Sequence, residues 1–192
     1  MSAPKILVIP GSLRAGSLNA GLAAVAAEEL VRADVEVTRI SLADFPLPIY
    51  DADLQAESGV PASAISLKQM IGSHHGILIV TPEYNASLPP LLKNAIDWVS
   101  RVQGPQETRG QVFHERAFAI AAASAGRFGG ARCLAQLRLV LTACRAMVIP
   151  NQLALSFADD AYDDMERLKH PADAVALKAM VRQLIDVAGN RM

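Results

Sequence analysis

The residues best suited to chemistry fall in three short stretches, each directly after an apolar run. The first is GSLRAGSLN, residues 11–19, which follows KILVI. Gly11 and Gly16 keep the separation of a GxxxxGK[ST] phosphate loop, but Ser17 stands where the lysine belongs and Leu18 where a magnesium-binding hydroxyl belongs. Handling of a β- or γ-phosphate with its metal is therefore poorly supported. A GxGxxG dinucleotide fingerprint is absent as well, because Gly11 has no glycine two residues on. What remains is Ser12, Arg14, Ser17 and Asn19 around the predicted start of a helix. The free N–H groups and partial positive charge of such a helix end suit a terminal phosphate, and a guanidinium pairs with one. The plainer alternative makes Ser17 an N-cap and Ser12 a turn residue.

The second stretch is TPEYNASLPP, residues 81–90. Pro82 fixes the backbone at a strand end, Tyr84 offers a flat face to a ring, and Asn85 can read ring edges. Taken alone, Tyr84 reads more simply as a packed aromatic and Glu83 as a surface charge. Glu83 has no evident partner acid or base, so it is assigned no proton transfer. The third stretch is SAGRFGG, residues 124–130, where Gly126, Gly129 and Gly130 let backbone approach a ligand closely or merely turn the chain into a helix. Together, at one edge of one sheet, the three stretches describe a phosphate pocket beside a place for a flat heteroaromatic ring. No side-chain nucleophile or catalytic triad is predicted. His74 and His75 precede a strand at the opposite sheet end, and His114 and His170 fall in loops, so all four read as structural or surface residues. Cys133 and Cys144 lack CxxC spacing and read as free thiols, with no metal site.

The elements that must position these stretches alternate along the chain. Apolar or alternating runs predict strands over 5–9, 35–41, 76–81, 117–124 and 146–150. Helical periodicity predicts helices over 18–32, 62–73, 89–100, 130–144 and 172–188. Residues 43–62, with Pro46, Pro48, Gly59 and Pro61, read as one long connection, 102–115 as a polar loop and 159–164 (DDAYDD) as a solvated acidic loop. Strand–helix alternation of this kind gives an α/β fold, an open parallel sheet with helices on both faces, whose ligands bind at the carboxyl ends of the strands.

The 192 residues suit one domain over 1–192, and 52% hydrophobic content is enough for a full core. A net charge of −1 argues against a general electrostatic grip on nucleic acid or an anionic membrane. Without a membrane-length apolar run or a signal-peptide pattern, the expected address is the cytoplasm.

GSLRAGSLN, LPIYDADL, TPEYNASLPPLLKNAIDW and SAGRFGG, in that order and spacing, resemble the NADPH-dependent FMN reductase family, which includes quinone, chromate and azo-dye reductases. The similarity runs from about residue 5 to 155, and PEYN followed by LKNAIDW is its most specific part. The resemblance implies a flavodoxin-like three-layer sandwich with a five-stranded parallel sheet, a type that holds FMN at its switch point. It implies that Ser12, Arg14, Ser17 and Asn19, with Leu18 among them, hold the FMN phosphate. Pro82, Glu83, Tyr84 and Asn85 are expected to line the isoalloxazine ring, and Ser124 and Gly126 to close its other side. It further implies an NAD(P)H oxidoreductase that passes hydride through FMN to a small-molecule acceptor such as a quinone, free flavin, azo compound or chromate, as a homodimer or homotetramer. Trp98 then falls at an interface or in the core. Two departures stand out: Ala86 where glycine often follows PEYN, and SAG in place of SPG. Two alternatives stay open at this point: an electron-carrier module without its own NAD(P)H turnover, and a flavin reductase that supplies reduced FMN to a monooxygenase.

Overall fold

The structure, a computed structural model, describes residues 3–191; the ends of the expected 1–192 domain, residues 1, 2 and 192, lie outside the described residues. Five positions build a parallel sheet. β1 (Lys5–Pro10), β2 (Glu36–Arg39), β3 (Gly76–Val80), β4 (Ala117–Ala123) and β5 (Met147–Val148) lie in the order β2-β1-β3-β4-β5, and β6 (Leu153–Leu155) also pairs with β4. All pairings are parallel, with Ile6 opposite Gly76 and Gly76 opposite Ala117. This is the flavodoxin-like order, and its switch point lies between β1 and β3.

Period-two alternation assigns each strand residue to a face. Ile6, Val8, Leu78 and Val80 pack with α1 (Leu18–Arg32) and α7 (Pro171–Gly189). Leu7, Ile9, Ile77 and Ile79 pack with α3 (Ala62–Gly72), α4 (Pro90–Val99) and α6 (Ala131–Ala143) on the other side. The helices turn matching stripes inward: α1 buries Leu22, Ala23, Ala26 and Leu30, and α7 buries Leu177, Met180, Val181, Leu184 and Ala188. The result is the expected three-layer α/β sandwich. Among the described residues, no helix is long and apolar enough to cross a membrane.

Three local expectations need correction. The connection over 43–62 holds a helix, α2 (Ala52–Ser58), begun by the Asp51 carboxylate, which accepts from the N–H groups of Asp53 at 2.8 Å and Leu54 at 3.2 Å. α2 buries no residue, so it left no apolar period in the sequence. The loop over 102–115 ends in a single turn, α5 (Gln111–His114), which buries Val112 and Phe113. The fifth strand, expected over 146–150, is two pieces. Met147 lies opposite Ala117 while Leu153 lies opposite Ala121, so the chain gains residues around Pro150, which has no N–H to give the ladder.

Trp98 belongs to the core. It is fully buried, donates from Nε1 to the Pro48 carbonyl at 2.7 Å and meets Tyr50 edge to face at 5.1 Å. Asn94, one turn earlier, donates to the same carbonyl at 2.8 Å and accepts from the Tyr50 N–H at 2.8 Å. The LKNAIDW segment thus uses one face of α4 to clamp the proline-rich connection.

Candidate functional site

The three chemistry-bearing loops meet at the carboxyl edge of the sheet. The first leaves β1 at Gly11, whose N–H donates to the Val80 carbonyl at 2.7 Å. A Cβ on Gly11 would sit 3.0 Å from Oγ1 of the buried Thr81, so the backbones of loops one and two touch only because no side chain intervenes. Gly16, at φ +65°, turns the loop into α1. Ser17 occupies the N-cap position, yet its hydroxyl makes no capping hydrogen bond. Among the described residues, the N–H groups of Leu18, Asn19 and Ala20 in the first turn also have no acceptor. The Arg14 guanidinium is exposed, forms no ion pair among the described residues and donates to its own loop at the Gly16 carbonyl, 3.1 Å away. The Arg14 N–H donates to Oγ of Ser12 at 3.3 Å. This corner therefore offers several donors and an exposed cation with no anion paired to it among the described residues.

Asn19 faces the other way. Its side chain is buried, donating to the Ala123 carbonyl at 2.9 Å and accepting from the Ala123 N–H at 2.8 Å. Both ends of the amide are used to pin the start of α1 to the end of β4, which leaves its backbone N–H as the group free for a ligand.

Loop two is held by α6. The Glu83 side chain is only 7% exposed and accepts from Nε of Arg132 at 2.8 Å, from its Nη2, and from the Cys133 N–H at 3.1 Å. Gly130, the N-cap of α6, has no side chain to cap with, and the Glu83 carboxylate serves that helix end from 47 positions away along the chain. Burial alone pushes the Glu83 carboxyl up, but the Arg132 guanidinium and the Cys133 amide outweigh it and hold the group below the ordinary value. One turn along α6, Gln136 donates to the Ala86 carbonyl at 2.7 Å and accepts from the Ser87 hydroxyl at 2.6 Å. Arg132 and Gln136 were not singled out in the sequence, because their partners lie some 50 residues away and no local pattern marks them.

Between these anchors the chain makes a tight turn. Tyr84 and Ser87 exchange both backbone hydrogen bonds, at 3.0 and 2.9 Å, and the central residues Asn85 and Ala86 have φ of 51° and 62°. Positive φ at both central positions is the type I′ turn, for which Asn-Gly is the preferred pair. Ala86 thus carries a Cβ in the left-handed region. Replacing Ala86 with Gly is expected to raise stability by about 1 kcal/mol, seen as a higher Tm in thermal unfolding. An unchanged or lowered Tm would show that the turn carries no such strain. Tyr84 is 48% exposed, so its ring is not a packed core aromatic, and Asn85 is exposed beside it, while Pro82 is buried.

Loop three continues β4. The Ser124 hydroxyl accepts from the Gly126 N–H at 3.2 Å, and the Ser124 N–H donates to the Leu155 carbonyl at 3.1 Å. Gly129, at φ +57°, runs so close to β6 that a Cβ would lie 2.6 Å from the Ala154 carbonyl. The segment after β6 is stitched on through Ala158 N–H to the Ser124 carbonyl at 3.0 Å and Ser156 Oγ to the Arg127 carbonyl at 2.8 Å.

No general acid or thiol nucleophile stands out. Burial pushes the Cys133 thiol up to about 11, and burial also raises Cys144, so both are protonated at neutral pH. Among the described residues no group of three or more His, Cys, Asp and Glu is placed to hold a metal. His74 is buried with Nδ1 2.7 Å from the Met70 carbonyl, and His75 accepts from the Lys5 N–H at 2.9 Å, both at the far end of the sheet. The arrangement places the uncommitted donors at the start of α1 on the same sheet edge as the exposed Tyr84 and Asn85.

Known proteins share this architecture. The family model for NADPH-dependent FMN reductases matches residues 4–160. The quinone reductase of Escherichia coli (strain K12) is 42% identical over 146 residues, 76% of this chain and 73% of that protein. An NAD(P)H-dependent FMN reductase of Pseudomonas aeruginosa is 39% identical over 166 residues, 85% of this chain and 84% of that protein. Among solved structures, the flavoenzyme NAD(P)H:(acceptor) oxidoreductase of Paracoccus denitrificans aligns with a TM-score of 0.80 at 28% identity, covering 98% of each chain.

Proposed function

The chain belongs to the NADPH-dependent FMN reductase family, and from that premise we propose that it is an NAD(P)H oxidoreductase that uses FMN to reduce a small-molecule acceptor, a quinone first of all. The carrying observation is the open donor set at the start of α1: among the described residues, three amides without acceptors, a Ser17 hydroxyl that caps nothing and an Arg14 without an ion-pair partner. These groups fit a terminal phosphomonoester, which accepts several hydrogen bonds and matches one guanidinium. In this reading Ser12, Arg14, Ser17, Leu18 and Asn19 hold the phosphate, Leu18 and Asn19 through backbone N–H groups. Pro82, Glu83, Tyr84 and Asn85 line the ring, Glu83 through its backbone, since its carboxylate is committed to α6. Ser124 and Gly126 close the opposite side.

Held by these residues, FMN would supply the hydride-accepting and electron-donating chemistry that joins NAD(P)H to the acceptor. The chain orients the two partners, and the α6 contacts hold loop two still while they exchange. Further parts of the reading are a single domain, a cytoplasmic address and a homodimer or homotetramer.

The test is a visible spectrum of the purified protein followed by anaerobic mixing with NADPH or NADH. Retained or acquired FMN that bleaches on mixing, and is reoxidised by a quinone, is expected. Failure to hold FMN would sink the reading. FMN that stays oxidised would favour an electron-carrier module, against which the net charge of −1 speaks, since carriers that dock basic partners have strongly acidic surfaces.

A further inference from the structure

Arg127 and Phe128 stand in the middle of loop three, between Gly126 and Gly129. The Phe128 ring is 48% exposed and has two guanidiniums against it, Arg127 at 4.7 Å and Arg132 at 4.9 Å from its centre. The two cations differ. Arg132 is neutralised by Glu83, whereas the Arg127 side chain has no hydrogen-bond acceptor or carboxylate partner among the described residues.

A second aromatic residue flanks the same loop. Phe157 donates from its N–H to the Gly126 carbonyl at 3.4 Å, sits at φ +49° and leaves its ring 60% exposed. A bulky residue in the left-handed region is a true backbone outlier, and such strain persists only where surrounding bonds enforce it. Here the flanking bonds from Ser156 and Ala158 enforce it, and the outcome is an aromatic ring turned to solvent rather than into the core. Packing gains nothing from that. Exposed rings with one uncompensated guanidinium, at the rim of a site that receives planar substrates, have the chemistry to hold a flat ring and an oxyanion together.

We propose that Arg127, with the exposed rings of Phe128 and Phe157, is a substrate-recognition rim that selects a flat ring carrying an anionic oxygen group. The inference rests on the oxidoreductase reading, since it supposes that substrates reach this edge of the sheet. Two substrate classes carry that chemistry: the adenosine 2′-phosphate end of the dinucleotide donor, and an anionic aromatic acceptor.

The test uses the FMN-loaded full chain as wild type, Arg127→Ala and Arg127→Lys. KM is measured for NADPH and NADH with a neutral quinone, and for a neutral and a sulfonated quinone at fixed NADH. Adenosine 2′,5′-bisphosphate is titrated by calorimetry as a readout that needs no turnover. Arg127→Ala is expected to raise KM for the anionic member of one pair roughly five- to twentyfold, the scale of a charged hydrogen bond at a partly exposed site, with Arg127→Lys recovering part of it. A loss confined to NADPH, with weaker bisphosphate binding, identifies the donor as the source. A loss confined to the sulfonated quinone identifies the acceptor. Equal kinetics and equal bisphosphate binding in all three proteins overturn the proposal while leaving the oxidoreductase reading intact. Absence of turnover in the wild type instead counts against that reading, and calorimetric titrations of the bisphosphate and of the sulfonated quinone then decide the rim alone: weaker binding of either by Arg127→Ala supports it, unchanged binding of both refutes it.

Discussion

Replacing Arg14 with Ala is expected to weaken FMN binding by about 1.5–3 kcal/mol, which is roughly a 10- to 100-fold rise in Kd. The magnitude follows from what Arg14 does in the free protein, which is little. It has no carboxylate partner among the described residues, and one weakly committed bond to the Gly16 carbonyl keeps it near the loop. Removing it leaves no buried charge stranded, so the cost should appear in ligand affinity and leave Tm of the FMN-free protein almost unchanged. The α1 amides and the Ser17 hydroxyl remain, so binding is weakened and not abolished. Riboflavin supplies the control because it has the ring without the phosphate. It should bind equally to wild type and Arg14→Ala in a fluorescence-quenching titration. If riboflavin loses as much as FMN, Arg14 acts on the ring or on the fold, and the phosphate assignment fails.

The sequence made Arg14 visible for the same reason that it hid Arg132. Loop one is local: glycines, hydroxyls and an arginine within nine residues beside a helix start form a pattern that can be read without tertiary structure. The strands KILVI and GILIV were equally legible, because full burial on two faces requires a continuous apolar run. Partnerships across long separations leave no such trace. Asn19 looked like a phosphate ligand on its position alone, and only the fold shows its amide bound at both ends to Ala123, 104 residues on. Glu83 looked like a surface charge because its partners, Arg132 and the Cys133 amide, are 49 and 50 residues away. α2 escaped because a helix that buries nothing has no apolar period, and the split of the fifth strand turns on the register either side of one proline.

Glu83→Gln tests the hidden partnership, and it is expected to lower the stability of the FMN-free protein by about 1.5–3 kcal/mol at pH 7 in urea unfolding. Gln keeps the shape and can still accept one hydrogen bond, so the loss measures charge: the Arg132 pair and the attraction of the α6 N-terminus for an anion. The pH dependence follows from the direction of the Glu83 shift. Burial raises the carboxyl, the guanidinium and amide lower it more, and in the folded protein it lies below its ordinary value of 4.5. The unfolded chain therefore takes up the proton first as pH falls. The stabilisation is complete above pH 4.5 and is lost as pH drops through the folded value, so the stability curves of wild type and Glu83→Gln should converge on the acid side. Arg132→Ala separates the two sources. Its own side chain is 55% exposed, but its removal leaves the buried Glu83 carboxylate charged with only the Cys133 amide and the helix end to hold it. Arg132→Ala should therefore cost at least as much as Glu83→Gln, about 2–3 kcal/mol, and should raise the Glu83 carboxyl. A gap between wild type and Glu83→Gln that stays constant with pH would mean that packing, not charge, joins loop two to α6. Because the same carboxylate fixes the loop carrying Tyr84 and Asn85, loss of its charge should also loosen the ring side of the site. FMN and riboflavin should then lose affinity alike in Glu83→Gln, the opposite of the phosphate-specific pattern expected for Arg14→Ala.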